Sequence, residues 1–265
     1  MLCTLIATND HMRNREYTYN LAKGCGLVEE TLSLLTIYDE ATTKDSLAQY
    51  VHDNNFLSRC TAQRSSDIVR RVFYPRLMKA NHDIPLWLKE IRSRGLMLDQ
   101  FKQLLMVYCA RENAIMYDYI TTILNELRIE GYAKVPSNSF KEFIERIVDD
   151  GNANWSDSIK RRNASYIKAV LTDFDFINRR GEILPYKIAA FTLLYFMHEM
   201  HFSGMSDIAI WNSEDWQLFG LDKYAVQDAI LSNNMRGGYI AQCTGDLMTI
   251  SWNYKTMEEF IHEQL

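Results

Sequence analysis

Glycine and proline are scarce in this chain, with 11 and four among 265 residues. That argues against a turn-dense all-β fold and against long disordered linkers. The five cysteines, Cys3, Cys25, Cys60, Cys109 and Cys243, are scattered, odd in number and form no CxxC pair. They make neither a zinc nor a disulfide framework, and a reducing cytoplasm is the expected compartment. Long apolar runs are missing too. The longest block, "IAAFTLLYFM", Ile188–Met197, lies between Lys187 and Glu199 and has ten residues, where a membrane-spanning helix needs roughly 20. It reads as a core helix, and no membrane partner is expected. The opening "MLCTLIATNDHMRNREY" has no basic stretch ahead of its short apolar run, so a signal peptide is not expected.

What is present suits a soluble globular protein of one large domain or two small ones. The apolar fraction is 47%, and 12 Phe, 15 Tyr and five Trp can build a substantial core. Residues 1–16 look loose. Helical periodicity then covers "LVEETLSLLTIYDEA", "TTKDSLAQYVHDNNFL" with Thr42 or Thr43 as its cap, and "TAQRSSDIVRRVFY", which Pro75 is expected to bend or end. It is nearly continuous from Ile84 to Gly131 and returns in "SNSFKEFIERIVDD" and "SDSIKRRNASYIKAVLTDFDFI". "RRGEILPYK" punctuates the chain, dividing a helical domain at 17–181 from a second region at 182–265. There, three helical stretches precede two β-prone runs, Tyr239–Cys243 and Leu247–Trp252, on either side of "TGD". The expected fold is mainly α: a helical bundle followed by a C-terminal winged-helix-like region with one β-hairpin.

Enzyme motifs fail one by one. "GCGLVE", Gly24–Glu29, lacks the third glycine and the preceding strand of a dinucleotide site, and reads as a helix-start turn. "HEMH" sets His198 and His201 at i,i+3, one residue short of the zincin spacing, and no third ligand is evident; an ordinary helix surface is expected. Asp173 and Asp175 of "TDFDF" are two apart and point to different sides of a helix. Neither a Ser/His/Asp or Cys/His set nor a phosphate loop is recognisable. No enzyme activity, metal or cofactor is expected.

Charge is unevenly spread. Between Asn55 and Arg94 lie nine Lys/Arg and three acids, a local +6 in a chain of −5, leaving −11 for the rest. Such asymmetry points to an anionic partner. On a helical wheel, Ile68, Val69, Val72 and Phe73 share one face; Arg64, Asp67, Arg70 and Arg71 share the opposite one. One aspartate cannot neutralise three guanidiniums. Arg64, Arg70 and Arg71, with Arg59, Arg76 and Lys79 nearby, are therefore candidate phosphate contacts. A solvated charged face and a protein interface are the alternatives. The presumed recognition helix, "LDKYAVQDAILSNNM", is poor in cations; only Lys223, Gln227, Asn233, Asn234 and Arg236 could face a groove.

Four blocks in order, "YNLAKGCGLVEETLSLL", "VHDNNFLSRCTAQRSSDIVRRVFYPRLM", "WQLFGLDKYAVQDAIL" and "GDLMTISWNYKTMEEFI", resemble the BrxA family of BREX phage-defence systems. The resemblance runs from about Tyr17 to the C-terminus. Some members have carried an inner-membrane label, for which the apolar blocks here give no support. The resemblance implies a small, mostly helical, cytoplasmic, non-enzymatic protein that binds double-stranded DNA. It would work beside other BREX components: a methyltransferase, an ATPase and a phosphatase-like protein. The family's "NFLSRCTAQRSSDIVRRVFYPRL"-like block falls on Asn55–Leu77, the segment that charge counting selects. A second expectation, of a different class, is a scaffold that docks on an acidic protein partner within a defence complex.

Overall fold

A computed structural model describes residues 13–265. The loose N-terminus expected at 1–16 lies outside the described residues as far as residue 12. Residues 13–16, expected to be loose with it, are held instead. Arg13 bonds Asp118 at 2.8 Å and stacks 3.9 Å over the Tyr117 ring, and the Asn14 amide donates to the Arg111 carbonyl.

The chain is mainly helical with one C-terminal hairpin. A 3-10 turn, Asn20–Lys23, leads to α1 (Val28–Ile37) and α2 (Lys44–Asp53). The Thr43 side chain caps α2 by accepting from the Ser46 amide, and Ser46 reciprocates in a capping box. Helix α3 (Ala62–Ile68), capped by Thr61, continues without a break into a π-helical segment, Val69–Met78. Pro75 therefore does not end it. A π turn bonds each amide to a carbonyl five residues back, and the Lys79 amide reaches the Tyr74 carbonyl in this way, so the wider helix accommodates a ring that an α turn would expel.

Then come α4 (Ile84–Ser93), α5 (Leu98–Glu112), and α6 (Ala114–Asp118), which runs through a second π segment, Tyr119–Leu124, into α7 (Asn125–Ile129). The near-continuous pattern from 84 to 131 thus breaks at Gly95 (φ 94°) and at Asn113, whose extended backbone separates α5 from α6. Helices α8 (Ser139–Asp149) and α9 (Asp157–Asp173) lie against each other. The "RRGEILPYK" stretch is pinned by isolated bridges Lys134–Glu182 and Ile177–Ile183.

Helix α10 (Ala190–Phe202) is buried almost all round, as its unbroken apolar run requires. The second of the three helical stretches expected before the hairpin, "SDIAIWNSEDWQLFG", is two pieces, α11 (Asp207–Trp211) and a 3-10 turn, Glu214–Phe219, because Ser206 and Ser213 each cap a new start. Helix α12 (Lys223–Ser232) precedes strands β1 (Tyr239–Thr244) and β2 (Leu247–Trp252), antiparallel in the register Tyr239–Trp252 to Thr244–Leu247. Tyr239, Ala241, Met248 and Ile250 face inward and the alternate residues outward. A last helix, α13 (Met257–Gln264), packs on both α10 and α4, and the Trp87 indole donates to Glu258 across that contact at 2.6 Å.

One cluster of buried side chains includes both Leu21 and Ile261, so the residues on either side of 181–182 share a core. A charged network ties them as well. Buried Arg111, at the end of α5, holds Glu199 of α10 and Asp215 of the 214–219 turn, each at 2.8 Å. The Tyr108 and Tyr117 hydroxyls add bonds to Glu199 and Asp215. Burial opposes charge on Arg111, but Asp215 and Glu199 outweigh it and hold the guanidinium firmly ionised.

Candidate nucleic-acid interface

The basic segment is dispersed by the fold. Arg64 is half-buried and donates to the Lys23 carbonyl at 2.6 Å; Arg76 donates to Gly24 and Gly26 at 2.7 and 3.3 Å. Together they hold the 23–26 loop against the α3–π helix. Lys89 and Arg92 likewise donate to the carbonyls of Tyr38 and Leu96. Four more arginines meet carboxylates: Arg59–Glu29 at 2.7 Å, Arg70–Asp45 at 2.7 Å, Arg71–Asp67 at 3.6 Å and Arg94–Glu90 at 2.6 Å. Lys79 is exposed and lies in the field of half-buried Glu112, whose carboxyl is raised by burial and pulled back by Lys79 and Arg76. Arg64 thus departs from the common outward face that the wheel places it on with Arg70 and Arg71. The reason is tertiary: the long Arg64 side chain reaches the Lys23 carbonyl, a partner 41 residues away that a helical wheel does not include. Arg59, Arg70 and Arg71 remain exposed, with 82%, 45% and 57% of their side chains accessible.

The C-terminal candidates are also scattered. Lys223 pairs with Asp246 at 2.8 Å and sits 4.4 Å from the Trp211 ring centre. Asn233 donates to the Ala229 carbonyl. Asn234 both accepts from and donates to Ala241, closing the entry to β1. Gln227 is half-buried, and Arg236 is exposed.

Sequence reasoning missed a second basic surface. Arg161, Arg162 and Lys168 on α9 are exposed and have no ion pair among the described residues. Arg161, Ser165 and Lys168 follow i,i+4,i+7 spacing along one face. Arg161 and Arg162 border a shallow depression with Ser158, Ser165 and Tyr166. The same helix runs beside the 23–26 loop: the Cys25 thiol contacts the Tyr166 carbonyl, and the Gly26 amide donates to Asp173 at 2.8 Å. Gly26 is required there, since a Cβ would fall 2.6 Å from that of Asp173. The available signal was Ser158–Val170, "SIKRRNASYIKAV", with four cations and no acid.

The remaining motifs resolve into structure. Asp173 holds Gly26, and Asp175 pairs with Lys102 at 2.7 Å. His198, expected on a helix surface, is fully buried. Its Nδ1 meets the Leu194 carbonyl, its ring stacks on Phe260 at 4.2 Å, and burial lowers its pKa to about 4. The helix is buried all round, so i,i+3 spacing alone could not reveal that. His201 stacks on Trp252. No group of three or more His, Cys, Asp or Glu able to hold a metal occurs among the described residues, nor is any described helix long and apolar enough to cross a membrane.

The geometry is that of a helical protein with cationic surface patches. Its backbone resembles a crystal structure of an uncharacterized protein from Magnetospirillum magneticum, with a TM-score of 0.59 and 14% identity over 78% of this chain and all of that one. That likeness shows the fold alone. No curated protein matches the chain. A sequence profile of the BrxA family matches residues 15–199, well over half of the chain, and the chain belongs to that family. It is thereby a BREX defence-system protein.

Proposed function

We propose that the protein is a non-enzymatic accessory component of BREX defence that binds duplex DNA through its phosphates. The carrying observation is the cationic face of α9, Arg161, Arg162 and Lys168, without an ion pair among the described residues and beside the loop held by Arg64 and Arg76. Arg59, Arg70 and Arg71 extend the reading. Their carboxylate partners are exposed, and such surface pairs are worth only about 0–1 kcal/mol, so phosphates can replace them at little cost. Phosphate contacts carry little sequence information, so binding is weakly specific. The helix–helix–helix–hairpin order of residues 190–252 supports a winged-helix reading of that region. With Lys223 neutralised, Asp222 exposed at the cap of α12 and Asp228 exposed on it, the region serves as a secondary contact.

Anisotropy titrations of a labelled duplex at several salt concentrations test this. Neutralising about three to five phosphates predicts a log–log slope of roughly −3 to −5. The triple variant Arg161→Ala, Arg162→Ala, Lys168→Ala flattens the slope by about two to three units. Arg64 and Arg76 are left intact because they hold the loop. A folded triple variant with wild-type affinity and slope rejects the α9 surface. Absence of binding by the wild type at low salt favours the scaffold reading, in which the same cations dock on an acidic protein.

A further inference from the structure

A cleft of about 770 Å³ lies between α7 and α12 and is lined among others by Asn125, Arg128, Tyr186, Trp211, Trp216 and Lys223, the last belonging also to the secondary duplex contact. Its volume falls in the range of small-molecule sites. Arg128 is its unusual member. The guanidinium is largely buried, its Nη2 has no hydrogen-bond partner, and no carboxylate pairs with it among the described residues. Burial accordingly depresses its basicity, with only Tyr186 opposing. The contrast with Arg111 is direct: that guanidinium, also buried, holds two carboxylates. An uncompensated buried charge is costly, and an oxyanion arriving at Arg128 would relieve the cost.

Aromatic rings flank Arg128. Its Cζ lies 5.2 Å from the Phe176 ring centre and 5.7 Å from that of Tyr186, beside a stack of Phe176, Tyr186 and Phe219. A guanidinium offers N–H groups in a fork that matches a bidentate oxyanion, and these rings supply no such acceptor. Two further buried polar atoms, on residues lining the same cleft, lack partners among the described residues: the Asn125 Oδ1 and the Tyr186 hydroxyl. The Asn125 amide nitrogen donates to the Gln217 carbonyl at 2.7 Å, which fixes Oδ1 as the free acceptor. A cation, a hydroxyl and an acceptor are thus enclosed without partners among the described residues, on residues that line the cleft beside apolar walls. The indole N–H groups of Trp211 and Trp216 are satisfied by the Lys223 and Ile210 carbonyls, so these rings contribute apolar surface rather than donors.

We propose that this cleft binds a small molecule joining an oxyanion to a flat, largely apolar ring system that carries a donor, the chemistry of a nucleoside monophosphate. The oxyanion meets Arg128 and Tyr186, the ring lies toward Trp211 and Trp216, and its amino group meets Asn125. Its anchors, Arg128, Tyr186 and Asn125, are not among the residues of the proposed duplex surface, and the proposal does not depend on that surface.

Tryptophan fluorescence and calorimetry on the full chain test this with three probes: deoxyadenosine monophosphate, deoxyadenosine and inorganic phosphate. The monophosphate is expected to bind saturably with a Kd below about 1 mM, and each half-ligand at least about tenfold more weakly. Arg128→Met weakens the monophosphate by about tenfold or more, and Tyr186→Phe by about threefold, with duplex affinity unchanged. If Arg128→Met does not fold, Arg128→Lys keeps a charge but loses the bidentate fork, and a loss of about tenfold is expected there as well. No saturable binding of the monophosphate up to about 5 mM overturns the proposal. So does equal affinity for inorganic phosphate, or wild-type affinity in a folded Arg128 variant.

Discussion

His198 shows how a surface-looking motif becomes a core group. Its imidazole is enclosed by Phe260, Trp252, Tyr254 and Tyr239, with His201 also nearby, and its pKa falls from 6.5 to about 4. Between those values the unfolded chain binds a proton that the folded chain refuses. The stabilising effect of the neutral group is therefore complete above pH 6.5 and lost as pH falls toward 4. The full loss is of order 3 kcal/mol. Urea unfolding at pH 7.5 and 4.5 will show a drop in stability that His198→Phe, close in shape and without a titrating group, reduces. An unchanged pH dependence in that variant would mean that another group controls it.

At the scale of elements, side-chain caps decide where this helical sequence breaks. Thr43, Thr61, Ser206, Ser213, Asp222 and Thr256 each accept an amide at a helix start. The entry to the hairpin uses the same chemistry. Asn234 exchanges two bonds with Ala241, at 2.6 and 2.9 Å, and so substitutes for a backbone ladder pair on the edge of β1 away from β2. Asn234→Ala is expected to destabilise by about 1–3 kcal/mol in urea unfolding, because the Ala241 amide and carbonyl lose their partners. Duplex affinity per folded molecule should stay unchanged. A DNA-binding defect at full stability would instead return Asn234 to the groove-facing role that its position in the sequence suggested.

For the whole molecule, the Arg111 network couples the C-terminal region to the helical bundle. It joins α5, α10 and the 214–219 turn, while Arg13 bridges Asp118 and Glu214 beside it. Replacing Arg111 by Met leaves two buried carboxylates without their cation, and Glu199 is already raised by burial. The expected cost is about 3–5 kcal/mol, a large share of a typical total of roughly 5–15 kcal/mol. Differential scanning calorimetry and urea unfolding will measure it. Arg59→Ala, which removes a pair exposed on both sides, should leave the transition where it is. Equal small effects from both variants would show that the network is dispensable.

Periodicity and turn chemistry were enough to predict a mainly helical chain, with the hairpin at 239–252 and the order of elements before it. Those are local properties: 3.6- and two-residue repeats and short capping bonds need no distant partner. Composition likewise limited the longest apolar block to a core helix. Helix α13 escaped that reading, although Thr256 and Glu259 mark its start, because its docking on α4 and α10 is tertiary. The continuation of a helix through Pro75 was hidden for a related reason, since it rests on a switch to π geometry. Charge was the quantity most altered by folding. The +6 of residues 55–94 is a sum along the chain, yet Glu29 and Asp45 come from outside that segment to pair with Arg59 and Arg70. Coulomb interactions depend on distance in space, so only the folded chain decides which cations keep no carboxylate. Among the described residues, Arg161, Arg162 and Lys168 on α9 keep none, and neither does Arg128 in its cleft.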